Sequence, residues 1–142
     1  MKTLKLEIEY DYDFLLYGLI TAHKEYTVAW MLNQLLSLDL IFSEDIKLEF
    51  KKDKSLSIGN YTYETDYLSF RLLVNKSVKS VGISKNYLIP ELKEYDYFLM
   101  INGDDDILKR QNLKEPLKEN DFFDFVNEIN VESLRSKENL IF

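Results

Sequence analysis

The chain has 142 residues, 46% of them apolar and 14% aromatic, with 18 basic against 25 acidic side chains and a net charge of −7. A chain of this size buries about two thirds of its unfolded surface around one core, and its aromatic content excludes the disordered class. The acidic balance disfavours direct binding to nucleic acid or anionic membrane, and the absence of cysteine excludes disulfides and thiolate metal sites.

Leu4, Leu6 and Ile8 alternate with Lys5, Glu7 and Glu9, which predicts a first strand and is unlike a secretory leader. No apolar run approaches the ~20 residues needed to cross a bilayer, so a cytoplasmic location without membrane contact is expected. The apolar stretch from Phe14 to Ala22, around Gly18, reads as strand or helix. Val28, Met31, Leu32, Leu35 and Leu36 recur at spacings of three and four and predict a helix over 24–37.

Alternation then returns in three segments: Ile46, Leu48 and Phe50; Leu56 and Ile58, shifting at Gly59 to Tyr61 and Tyr63; and Leu68, Phe70, Leu72 and Val74. These predict an antiparallel meander with one buried face, and the change of phase predicts a bulge at Gly59. Val81 and Ile83 are a candidate extension of the sheet, and Pro90 makes 86–94 a loop. A strongly apolar strand is expected over 95–101, then a helix from the Asp104–Asp106 carboxylates through Leu113, stopped by Pro116. A returning strand over 122–129 and a short helical turn over 132–135 complete the reading. Without repeats or linkers, the expectation is one α+β domain over 1–142: a mainly antiparallel sheet of five to seven strands with two to three helices on one face.

Ile89-Pro90-Glu91, followed by Tyr95-Asp96-Tyr97, resembles the signature of the bacterial family named for Ile-Pro-Glu-x-x-x-Val-Asp-Tyr (IPExxxVDY), with Tyr95 in place of valine. The helix segment with Trp30, Leu32 and Asn33 and the closing Ser136 to Phe142 are similar to family features as well. The family has no assigned activity, cofactor or catalytic residue to carry over. Its members are often encoded near ribonuclease III, which implies a housekeeping cytoplasmic setting and, as one alternative, an accessory to an RNA-processing enzyme.

The chemistry-bearing residues each carry two readings. Glu91 and Asp96 are either structural acceptors around a stiff loop or a carboxylate pair for general acid work, which with His23 would form an enzyme or ligand pocket. His23 is the only histidine, so it cannot build a multi-histidine metal site, and before a helix it reads as a cap or surface residue. Asp104-Asp105-Asp106 lacks the spacing of a calcium loop and reads as a helix N-terminus. No catalytic, cofactor or metal site is assigned.

At 100° per residue, Tyr26, Trp30, Asn33 and Ser37 share the side of the helix opposite its core stripe. Trp30 is then either covered by another segment or exposed as an anchor. Tyr61, Tyr63, Tyr67 and Arg71 are expected on the outer face of the meander. The preferred expectation is a non-catalytic interaction or assembly domain that contacts a protein partner, or a second copy as a homodimer, through Tyr26, Trp30, Asn33, Tyr61, Tyr63, Tyr67 and Arg71.

Overall fold

The computed structural model describes residues 12–84, 86–104, 106 and 112–142. The expected first strand at Leu4 to Ile8, and most of the expected helix after Asp104, lie outside these residues. Seven strands are present: β1 (Leu15–Ile20), β2 (Ile41–Phe50), β3 (Lys54–Glu64), β4 (Leu68–Val74), β5 (Lys79–Val81), β6 (Tyr97–Gly103) and β7 (Phe125–Glu128). The described residues also form the α-helices α1 (Glu25–Leu36) and α2 (Lys114–Lys118) and 3-10 turns at Pro90–Leu92, Val131–Ser133 and Lys137–Leu140. Among the described residues, no helix is long and apolar enough to cross a membrane.

All the strand pairs are antiparallel, in the order β2-β3-β4-β6-β1-β7. The short β5 pairs with Ser55 to Ser57 of β3, on ground that β4, paired with Asn60 to Glu64, leaves open. This is the expected α+β class, an open antiparallel sheet with the helices on one face.

The two faces of the sheet carry separate cores. On the helix face, Val28, Ala29 and Leu32 of α1 and Leu117 of α2 meet Tyr17, Leu19, Tyr61, Phe70, Leu72, Tyr97, Leu99 and Ile101. On the other face, Leu16, Leu56, Ile58, Leu73, Phe98 and Met100 are covered by Leu88, Ile89, Tyr95, Val131, Leu134 and Leu140. The expected single buried face is therefore corrected. The reason is legible in β6, whose unbroken Tyr97-Phe98-Leu99-Met100-Ile101 is the pattern of a strand buried on both sides.

The same fact corrects the bulge. Leu56 and Ile58 point to the tail face, while Tyr61 and Tyr63 point to the helix face, so β3 alternates without interruption and merely changes which side is buried. The register slip lies opposite, in β2, between Ser43 paired with Asn60 and Ile46 paired with Ile58. Three steps on β2 match two on β3, which is one extra residue.

Gly18 is required by packing. A Cβ there would lie 2.4 Å from Cδ1 of Tyr95, whose ring lies across the glycine on the tail face. Pro116 was expected to stop a helix but is the third residue of α2. In a first turn the missing N–H breaks no helical hydrogen bond.

Candidate functional site

The segment that carries the family-like motif is organised by a residue the sequence did not single out. Asn75, fully buried just after β4, donates from Nδ2 to the carbonyls of Leu92 and Tyr95, both at 2.9 Å, and accepts the Ile89 N–H at Oδ1 at 3.0 Å. Its backbone N–H donates to Asp96 and its carbonyl accepts from Leu88. Three side-chain and two backbone hydrogen bonds thus wrap residues 88–96 around one amide, where a buried polar group finds every partner it needs.

The C-terminal segment closes on this loop. Oε2 of Glu91 accepts the Ser136 N–H at 2.7 Å, and Nδ2 of Asn139 donates to the Leu88 carbonyl at 2.8 Å. Partial burial alone would raise the Glu91 pKa, but hydrogen bonds to its own backbone, Ser136 and Arg135 outweigh this and hold it below the usual value. Asp96 turns elsewhere: its Oδ2 accepts the Thr21 N–H at 3.0 Å, at the end of β1. The two carboxylates of the motif therefore each spend an oxygen on a different segment.

His23 lies beside Thr21, whose Oγ1 accepts its N–H, and its ring stacks on Phe122 with centroids 4.1 Å apart. Lys24, rather than His23, is the N-cap residue of α1, and no side chain caps that end. The Tyr97 hydroxyl donates to the His23 carbonyl at 2.7 Å. Burial first, then the negative charges of Asp96 and Glu25, push the Tyr97 pKa up to about 12. Asp104 accepts the Asp106 N–H, and among the described residues no group of three or more His, Cys, Asp or Glu side chains is placed to hold a metal.

The outer side of α1 is open. Tyr26 and Trp30 are 62% and 57% exposed, which answers the alternative left open for the indole. Asn33, on the flank of the same stripe, is half-buried: its amide accepts the Leu40 N–H at 2.7 Å and donates to the Leu40 carbonyl. It fixes the connection from α1 into β2 and is not an open contact residue.

That connection delivers two further apolar side chains, Ile41 and Phe42, exposed at 60% and 62%. Both were missed, because the sequence reading began this strand at Ile46. Their place on the edge strand explains the exposure, and the Phe42 ring stands edge-on to Tyr61, 5.5 Å away. Glu44 and Asp45 follow on the same strand, both exposed.

The expected outer tyrosine group does not form as one surface. Tyr61 is buried and Tyr63 half-buried on the helix face, and burial followed by the Glu25 charge raises the Tyr61 pKa. Tyr67 stands in the β3–β4 turn, 68% exposed, near the end of β3 that pairs with the start of β2. Arg71 is half-buried and points to the tail face, opposite Met100. On α1, Tyr26 and Trp30 leave a phenol and an indole open to solvent, and on β2 Phe42 faces the helix side and Ile41 the other. A comparison of the chain with protein-family models and with curated proteins finds no match.

Proposed function

We propose that the protein is a non-catalytic interaction or assembly domain of the bacterial cytoplasm, whose docking surface is the corner formed by α1 and the start of β2. The observation that carries this reading is the set of four large apolar side chains, Tyr26, Trp30, Ile41 and Phe42, each more than half exposed on two consecutive elements. Aromatic anchors of this kind dominate interface energies, and large apolar side chains left in water mark a contact site; Phe42, paired with Tyr61, lies on the helix face with α1, and Ile41 beside it on the strand lies on the other. Tyr67 is the sequence-expected tyrosine that can join this surface, at the adjacent sheet end. The exposed carboxylates of Glu44, Asp45 and Asp66 around it suit a partner with an apolar cleft and a basic rim, be it another protein or a second copy.

The IPExxxVDY resemblance supports a place in that family, and the contacts of Asn75, Glu91 and Asn139 give its motif a structural role. The test is Trp30→Ala. It should change stability by no more than about 0.5 kcal/mol in a denaturant melt, since a truncated exposed side chain leaves no cavity. It should abolish self-association in sedimentation or capture of the partner by tagged protein. An unfolded variant, or unchanged association by both measures, removes the reading. If the captured protein is an RNA-processing enzyme, the accessory alternative becomes the specific form of it.

A further inference from the structure

Arg71 sits in the middle of β4 on the tail face, with its backbone in register with Met100 of β6 and Thr62 of β3. Its guanidinium is half-buried, and the ring of Phe142 lies over one side of it, with the centroid 5.1 Å from Cζ. Among the described residues none gives it a salt bridge or a side-chain hydrogen bond; Glu64 attracts it through space without reaching it. Five N–H donors are thus removed from much of their water without an acceptor in place, whereas buried charge is ordinarily paired.

Beside it is a cleft of about 200 Å³. Its exposed lining is more polar than apolar, with Arg71 and Asn102 on it; Phe14, Met100 and Leu140, almost fully buried, form its floor, and the half-exposed Phe142 ring is its open apolar wall. A cavity of about 150 Å³ holds a benzene ring, so this one admits a ring-sized apolar body with a small polar head. One cation and one amide match a single negative charge. The guanidinium fork fits the two oxygens of a carboxylate, and the lack of a second cation in the lining disfavours a doubly charged phosphate.

We propose that the cleft binds a small organic monocarboxylate, its carboxylate on Arg71 and Asn102 and its apolar body against the Phe142 ring, over the floor of Phe14, Met100 and Leu140. The site lies on the opposite face of the sheet from α1 and Phe42, while Ile41, paired with Thr62 and through it with Arg71, stands on the same face two strands away. Burial depresses the Arg71 pKa despite the opposing pull of Glu64, which is the state that an incoming anion relieves.

The experiment is an NMR titration of the full chain with phenylacetate, its neutral isostere phenylacetamide and inorganic phosphate. Phenylacetate should give saturable shifts centred on Arg71, Met100 and Leu140. Phenylacetamide and phosphate should bind at least about ten-fold more weakly, as should phenylacetate to a folded Arg71→Gln variant. Absence of saturation with phenylacetate up to tens of millimolar overturns the proposal, as does equal binding of the amide or of phosphate. Undiminished affinity in Arg71→Gln overturns it too. If that variant fails to fold, the comparison of acid with amide on the unaltered chain decides alone.

Discussion

The two faces of the sheet are closed by different physics. On the helix face, α1 lays down a periodic apolar stripe and its burial needs no particular hydrogen bond: Val28, Ala29 and Leu32 simply fill the space over Tyr17, Leu72 and Leu99. The tail face is closed by segments with no regular periodicity, and their apolar side chains are held in place by polar clasps at Asn75, Glu91 and Asn139. A helix supplies its own backbone partners, whereas an irregular strap must borrow them from side chains, so the tail face concentrates stability in a few amides.

The sharpest way to break this contrast is Asn75→Ala. It strands the Tyr95 carbonyl and the Ile89 N–H in the interior and leaves the Leu92 carbonyl with the Tyr95 N–H alone, and a loss of about 3 kcal/mol is expected in urea denaturation. Amide exchange should quicken first over 88–96 and 131–140 while α1 keeps its protection; uniform loosening of both faces would erase the distinction drawn here.

Alkali probes the helix face. Tyr97 titrates near 10 when unfolded and about 12 when folded, so its contribution is intact below pH 10 and is lost as pH climbs towards 12. That loss amounts to about 2–3 kcal/mol across the window, and burial of Tyr17 and Tyr61 adds to it in the same direction. Tyr97→Phe should flatten the fall in stability between pH 10 and 12, at the cost at neutral pH of the hydrogen bond to His23, about 1 kcal/mol. An unchanged alkaline profile in the variant would assign the sensitivity to another group.

The smallest effect is expected from Glu91→Gln at the tail. The Glu91 pKa is lowered in the folded chain, so its contribution is present above the ordinary carboxylate range and disappears as pH falls through the folded value. The carboxylate is exposed, and the visible change should be faster amide exchange around Ser136 at neutral pH, converging with the unaltered chain in acid.

These contrasts also mark what the residues disclose on their own. The α1 stripe and the meander were readable because helices and strands leave periods of 3.6 and 2 in the chain, and the same angular geometry set Trp30 away from the core. Asn75 left no such trace: its side-chain partners lie 14, 17 and 20 residues downstream and are backbone groups, which carry no side-chain signature. The cover of the second face was equally silent, since Leu88, Ile89, Val131 and Leu140 belong to loops and 3-10 turns without a repeat. Two covered faces made β3 look as if it changed phase, and the bulge was assigned to the wrong partner. Ile41 and Phe42 were passed over because exposed apolar residues on an edge strand break the alternation that identifies strands.

The extra residue in β2 has a bearing on solubility. Ten residues of outermost strand ending in exposed phenylalanine at Phe42 and Phe50 would be a template on which like chains could stack without limit. The kink between Ser43 and Ile46, with acidic side chains at its apex, splits that template into two short lengths that a straight strand cannot follow together. Edge-to-edge growth along the whole of β2 is therefore cut off where the backbone turns after Ser43.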